Sequence, residues 1–257
     1  MPKDTLIALR RLFALALALP FALALASCGG DKAADESTDL PKGEPIAAIA
    51  PPAGQQWGDI ASETPDGGFV IGNPNAPLKL VEYASHTCSH CAEFSVKGSG
   101  ALRDKYVASG VVSYEIRNLI RDPIDLTIAT LARCNGPAAF HPLADQAWAN
   151  LAALFDTVNK NTAEYKAAMD KTGAARFQGL AQAAGLFDFF AARGLSKDQA
   201  MTCLADTKKI TAIVEKSDKD SNDKQLTGTP TFFLNGKRFE GTTWEVVEPI
   251  LQNAGAR

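Results

Sequence analysis

Apolar residues follow two rhythms along this chain. Before residue 119 and after residue 229 they come in short runs bounded by Gly, Pro and Asn; between these regions they recur at helical spacing. GGFVIGNPNAP predicts a short strand and a turn, punctuated by Asn73-Pro74 and Asn75-Ala76-Pro77. LKLVEYAS, with Leu78, Leu80, Val81 and Tyr83, is mostly apolar on both faces, as in a buried central strand. Phe94, Leu102 and Tyr106 predict a helix from Cys88 to about Ser109, kinked or broken at Gly98 and Gly100. VVSYEIRNL (111–119) alternates and begins β-branched, so it predicts a strand.

From Pro123 to about Lys219 the pattern is helical. Ile124, Ile128 and Leu131 share one face, and Leu143, Ala147, Leu151, Leu154 and Phe155 share another. Ser196 with Gln199 marks a capping-box start. In TPTFFLNGKRFEG two short runs flank Asn235-Gly236, a hairpin signal, and Trp244 to Leu251 closes as a helix. The stripes read as ordinary helix packing. Strands on either side of a helical block predict an α/β fold with a helical insertion at about 122–220.

The N-terminal residues have no face to bury. Lys3, Arg10 and Arg11 precede an apolar run from Leu12 to Ala26, the pattern of a secretory signal. The run is short for a membrane-spanning helix, which needs about 20 residues. Leu25-Ala26-Ser27-Cys28 resembles the lipobox of bacterial lipoproteins, which implies a signal over residues 1–27 and acylation of Cys28. Residues 28–66, including PKGEPIAAIAPPAGQQ, read as a flexible tether; the alternative is an arm packed on the domain near Trp57 and Ile60. The folded domain is then expected over 67–257.

Composition narrows the chemistry. The net charge is −3 over 257 residues with no basic block, which excludes an electrostatic nucleic-acid binder. With Cys28 assigned to lipid, four of the five cysteines remain, an even number that suits an oxidising compartment. Four cysteines allow three pairings; spacing favours Cys88–Cys91 and Cys134–Cys203, the second a structural bridge in the helical insertion.

Cys88-Ser89-His90-Cys91 could hold a metal, close a static loop or exchange electrons. Structural zinc needs about four ligands, and Cys134, Cys203 and His141 lack neighbouring partners in sequence. A two-residue gap makes a small ring, more often reducible than structural. If a strand ends near Ala84, Cys88 opens the next helix, where free amides and the macrodipole favour a thiolate. A protonated His90 would add to this. Cys91 falls one turn further in, as the resolving sulfur. No metal or cofactor is expected.

VEYASHTCSHCAEF, followed far downstream by GTPTFFLNG, resembles the DsbA-like branch of the thioredoxin superfamily over residues 67–254. The resemblance implies a thioredoxin fold with an inserted α-helical subdomain. It implies that Cys88 and Cys91 are the redox pair, that Thr229-Pro230 is a cis-proline loop docking substrate, and that Glu82 is a buried acid serving Cys91. It further implies an envelope enzyme donating disulfides to cysteine-containing exported proteins, reoxidised by a DsbB-like membrane partner linked to quinone. Ser89 stands where strongly oxidising members carry proline, which puts the potential in question. Two other readings stay open: a reductase or isomerase kept reduced, and a non-catalytic peptide-binding module. His86 is expected as an exposed loop residue.

Overall fold

The structure, a computed structural model, describes residues 40–257. Cys28, the expected signal and the first part of the expected tether lie outside the described residues. A six-stranded sheet forms the centre, in the order β1-β2-β4-β3-β5-β6. Its strands are β1 (Ala61–Glu63), β2 (Phe69–Gly72), β3 (Leu78–Ala84), β4 (Val112–Asn118), β5 (Thr231–Leu234) and β6 (Lys237–Phe239). Only β3 and β4 run parallel; the other neighbours are antiparallel. Parallel strands need a crossover, and the helical segment that follows β3 supplies it.

That segment starts as α1 (Ser89–Phe94) and continues through wide π-type turns at Ser95–Ser99 and Leu102–Val107. The expected break at the glycines does not occur: Gly100 keeps helical angles. Gly98 instead permits close approach, since a Cβ there would lie 2.9 Å from the Trp244 side chain. Helices α2 (Pro123–Arg133), α3 (Pro137–Ala149), α4 (Leu151–Lys160), α5 (Thr162–Met169), α6 (Gly173–Ala183), α7 (Leu186–Ala191), α8 (Lys197–Ala205) and α9 (Thr207–Asp223) form the insertion, and α10 (Trp244–Asn253) closes the chain. The stripe containing Phe155 is divided by Asn150 between α3 and α4, which leaves Phe155 39% exposed. The capping box at Ser196 and Gln199 is formed.

Period-2 alternation gives the sheet two different faces. Leu80, Glu82, Tyr114 and Ile116 lie under α1 and α3 in the main core, with Phe94, Phe140 and Phe232. Tyr83, Leu119 and Leu226, with Val81 and Phe233, make a smaller cluster on the opposite face.

The tether reading needs correction from residue 40 onward. Gly43 and Ile46 amides donate to the carbonyls of Asn253 and Gly255, and Ile49 donates to Ser109. Trp57 is buried and donates its indole N–H to the Ile49 carbonyl at 2.6 Å. β1 then adds an edge strand that the sequence pattern did not reveal, because three residues are too few to display a period. The arm is held by backbone hydrogen bonds and one tryptophan, and neither leaves a hydrophobic periodicity. Among the described residues no helix is long and apolar enough to cross a membrane.

Candidate active site

β3 ends at Ala84, and four residues later Cys88 takes the N-cap position of α1 with extended angles, φ −89° and ψ 121°. The helix that follows leaves its first amides without intrahelical partners. The Cys88 thiol is held down to about 5 by the hydrogen bond from Cys91, with further hydrogen bonds from the amides of Cys91 and His90. Burial opposes these effects without overcoming them. Cys91, one turn further in and fully buried, is pushed the other way, well above an ordinary thiol, by burial and by the neighbouring Cys88 sulfur and Glu82. Both cysteines are free thiols in the structure. The pair is therefore asymmetric: an anion at the helix tip and a protonated thiol behind it.

The downstream motif comes to this tip. Thr229-Pro230 is a cis peptide, and the Thr229 carbonyl oxygen lies 3.1 Å from the Cys88 sulfur. β5 pairs with β3 in the register Tyr83–Thr231 and Glu82–Phe232, which carries the proline loop to the C-terminal end of β3. The Thr231 hydroxyl donates to the Gly228 carbonyl at 2.7 Å and closes the loop on itself.

Glu82 is 0% exposed in the middle of β3. Burial raises its carboxyl to about 8, partly offset by the hydroxyl of Tyr114, which donates to its Oε2. Glu82 shares the face of β3 with Leu80, which the main core covers, and so turns inward, under the cysteines. At neutral pH this acid can carry a proton.

The His90 imidazole is 65% exposed, with Nδ1 3.9 Å from Glu93, and its backbone amide is among the donors to the Cys88 sulfur. His86 is corrected: it is fully buried. Its ring stacks on Trp148 with centroids 5.1 Å apart, and its amide donates to Asp125 Oδ1 at 2.7 Å.

These contacts belong to a clamp that sequence reasoning missed. The Thr87 hydroxyl donates to Asp122 Oδ2 at 2.5 Å, and the Trp148 indole donates to the Ser85 carbonyl at 2.9 Å. Asp122 also caps α2 by accepting from the amides of Ile124 and Asp125. The insertion thus grips residues 85–87, immediately before the nucleophile. One signal was available, since Asp122-Pro123 reads as an N-cap followed by proline at the first helical position. The contacts with α3 had none.

Cys134, just past α2, and Cys203, in α8, are joined as a disulfide with Cα atoms 6.1 Å apart. The bridge lies in the wall of a cavity of about 420 Å³ that includes Arg117 and Arg133 but neither Cys88 nor Pro230. Among the described residues no group of His, Cys, Asp and Glu has the arrangement of a metal site.

A parallel-centred sheet, a Cys-x-x-Cys pair opening the crossover helix and a cis-proline loop against the first sulfur together define a thioredoxin-fold dithiol site. The chain belongs to the thioredoxin family, whose model matches residues 64–253. It has the DsbA-like form of the fold, with the helical insertion. The protein-disulfide isomerase of Novosphingobium aromaticivorans is 30% identical, with a TM-score of 0.69 over 77% of this chain and 100% of that one. Alpha-DsbA1 of Wolbachia pipientis, 20% identical over 86% of this chain and 96% of its own, shares the fold at a TM-score of 0.59. Relatives from Rickettsia bellii and Rickettsia typhi, provisionally named protein-disulfide oxidoreductases, are 25% and 28% identical over 72% of this chain. The match spans 64% and 61% of those relatives' own length.

Proposed function

We propose that this protein is a thiol–disulfide oxidoreductase of DsbA type that donates the Cys88–Cys91 disulfide to other proteins. The observation that carries the reading is the Cys88 sulfur at the start of α1, where Cys91 and the amides of Cys91 and His90 lower its thiol, beside the cis-Pro230 loop. A stabilised thiolate is a good leaving group, so the disulfide it forms is readily broken and the reduced state is favoured. A substrate thiolate attacks Cys88 and expels the Cys91 sulfur, which Glu82 protonates. A second substrate thiolate attacks the substrate sulfur of the mixed disulfide and releases Cys88 as the anion. The Thr229-Pro230 edge offers backbone groups to an extended substrate segment beside the sulfur.

Substrates are proposed to be cysteine-containing exported proteins, with the protein on the periplasmic side of a bacterial envelope, anchored by lipid at Cys28. The support for this is the Lys/Arg-then-apolar start and the Leu25-Ala26-Ser27-Cys28 motif. A DsbB-like membrane protein is the proposed reoxidant. The test is disulfide formation in a reduced unfolded protein. Oxidised enzyme should accelerate it and Cys88→Ser should not; full activity in Cys88→Ser would end the proposal.

Two observations favour a second reading, an isomerase or reductase. The 30% identical relative from Novosphingobium carries the name isomerase, and Ser89 replaces the proline expected in a strong oxidant. The reduction potential measured against glutathione separates the two. A value near the strongly oxidising DsbA end, about −120 mV, supports donation, and one near thioredoxin, about −270 mV, supports reduction.

A further inference from the structure

Glu82 must exchange a proton in every cycle, yet it is fully enclosed. When Cys91 leaves as a thiolate it takes the Glu82 proton, and the carboxylate left behind has to be protonated again. In the reverse reaction Cys91 returns a proton to Glu82, which must lose it. During both events a substrate joined to Cys88 covers the front of the site. The inference below rests on the role proposed for Glu82 above.

Behind Glu82 lies a second set of buried titratable groups. Tyr114 on β4 donates its hydroxyl to Glu82 Oε2, while Oε1 has no hydrogen-bond partner among the described residues. The Tyr114 ring is 5.2 Å, centroid to centroid, from the imidazole of His141 on α3. His141 is 1% exposed, and its Nε2 lies 2.9 Å from the Phe69 carbonyl oxygen. A carbonyl only accepts, so Nε2 carries the proton and Nδ1 is a bare acceptor, also buried without a partner. His141 in turn lines a cavity of about 550 Å³ together with Asp59, Arg103 and Asp145. Arg103 pairs with Asp145, and the Ser95 hydroxyl donates to the same carboxylate at 2.6 Å. A space of this size with Asp59, Arg103 and Asp145 in its wall admits several waters.

We propose that Tyr114 and His141 form a rear proton route that connects Glu82 to this cavity while substrate occupies the front. In the recharging direction, a local opening around His141, whose Nδ1 is closed off at rest, lets cavity water deliver a proton to that nitrogen. That proton passes to the Tyr114 oxygen through one water, as the Tyr114 hydroxyl proton moves to Glu82 Oε2. One proton enters, Glu82 becomes neutral, and both relay groups return to their starting states. The reverse sequence discharges the acid when Cys91 is deprotonated.

The surroundings fit a relay that does not trap the proton. Burial holds His141 down to about 4, so the imidazolium is short-lived. Burial and the adjacent Glu82 keep Tyr114 well above an ordinary phenol, so no phenolate accumulates. The charged and titratable groups acting on Glu82 are Tyr114, Asp145 and Cys88, with Cys91 on the same side.

The test uses the oxidised protein reacting with a dithiol peptide in single turnovers at pH 5–9, in water and in D2O, alongside thermal unfolding. Tyr114→Phe removes only the hydroxyl. His141→Gln keeps a donor for the Phe69 carbonyl but cannot take up a proton. Both should slow the Cys91-dependent step about tenfold or more and enlarge the solvent isotope effect, since positioned proton transfer typically contributes 10²–10⁴-fold. Imidazole in the buffer should restore the rate of His141→Ala and not that of Glu82→Gln. Rates and isotope effects like the parent's in Tyr114→Phe and His141→Gln, with Glu82→Gln slow, would overturn the route and leave the Glu82 role standing. A parent-like Glu82→Gln would instead remove the role of the acid itself. Slowing that follows lost stability, with no isotope effect and no imidazole rescue, also overturns the route. If His141→Ala does not fold, Tyr114→Phe and His141→Gln decide.

Discussion

The Cys88 sulfur and the Thr229 carbonyl oxygen lie 3.1 Å apart although 141 residues separate them. In that contact the Cys88 thiol donates to the backbone edge beside cis-Pro230, and the proposed chemistry takes place at that junction.

Cys88 should react as an anion over nearly the whole working pH range. Its thiol is lowered to about 5 while Cys91 is raised well above 9.0. Alkylation of the reduced protein, followed against pH, should show one thiol half-reactive near pH 5 and no second transition below pH 9. A Cys88 titration near that of a free thiol, about 8.5, would contradict the site electrostatics.

The same shift makes stability depend on redox state. Cys88 falls from 9.0 in the unfolded chain to about 5 in the folded one. A depressed acid stabilises the fold fully above its unfolded value and loses that contribution as pH falls through its folded value. The oxidised protein has no such thiolate. Reduced protein should therefore gain stability over oxidised protein as pH rises from about 5 to about 9. Paired thermal melts across this range check the sign.

Glu82 works in the opposite sense. Its carboxyl rises from 4.5 unfolded to about 8 folded. The relative stability is therefore present below 4.5 and is lost progressively as pH rises toward 8. Glu82→Gln should be stabilising by up to about 3 kcal/mol at pH 7, where most of that cost applies, and near neutral at pH 4. Denaturant unfolding of reduced protein at both pH values measures the difference.

Asp125 should matter to the nucleophile without touching it. It accepts from the amides of His86 at 2.7 Å and Arg121 at 3.0 Å. Asp125→Ala strands a buried amide, at a cost of about 1–3 kcal/mol, and loosens residues 85–87. Unfolding free energy should fall, and the alkylation profile of Cys88 should move upward. An unchanged profile would mean that the clamp does not position the sulfur.

The Cys134–Cys203 bridge should stabilise without tuning the dithiol. It closes a loop with a sequence separation of 69. Replacing both cysteines by serine should cost about 2–4 kcal/mol in unfolding experiments under oxidising conditions. The pH profile of Cys88 alkylation should not move.

Much of this architecture was legible locally. LKLVEYAS identified the strand that became β3, flanked by β4 and β5, and Asn235-Gly236 marked the β5–β6 turn, with Asn235 at φ 50° and Gly236 at φ 81°. Asymmetry between Cys88 and Cys91 also followed from spacing, because a strand end and a helix start are short-range features. The packed arm at residues 40–63 was legible only as the alternative to a tether, through Trp57 and Ile60, since most of its bonds come from carbonyls and amides that every residue possesses. His86 read as exposed because polarity predicts surface only on average. Here Trp148, Asp125 and Asn118 surround the ring.

What the chain determined by itself, then, is the succession of elements and the position of the dithiol at a strand–helix junction. These depend on side-chain period and on residue types a few positions apart. Only the tertiary structure decided which distant groups meet them: Thr229 against Cys88, Tyr114 against Glu82, and Asp122, Asp125 and Trp148 around residues 85–87. Such meetings are set by sheet register, as in Leu80 opposite Tyr114, and by the docking of α2 and α3 on the sheet. Register and docking are properties of the whole core at once, and no single segment carries them.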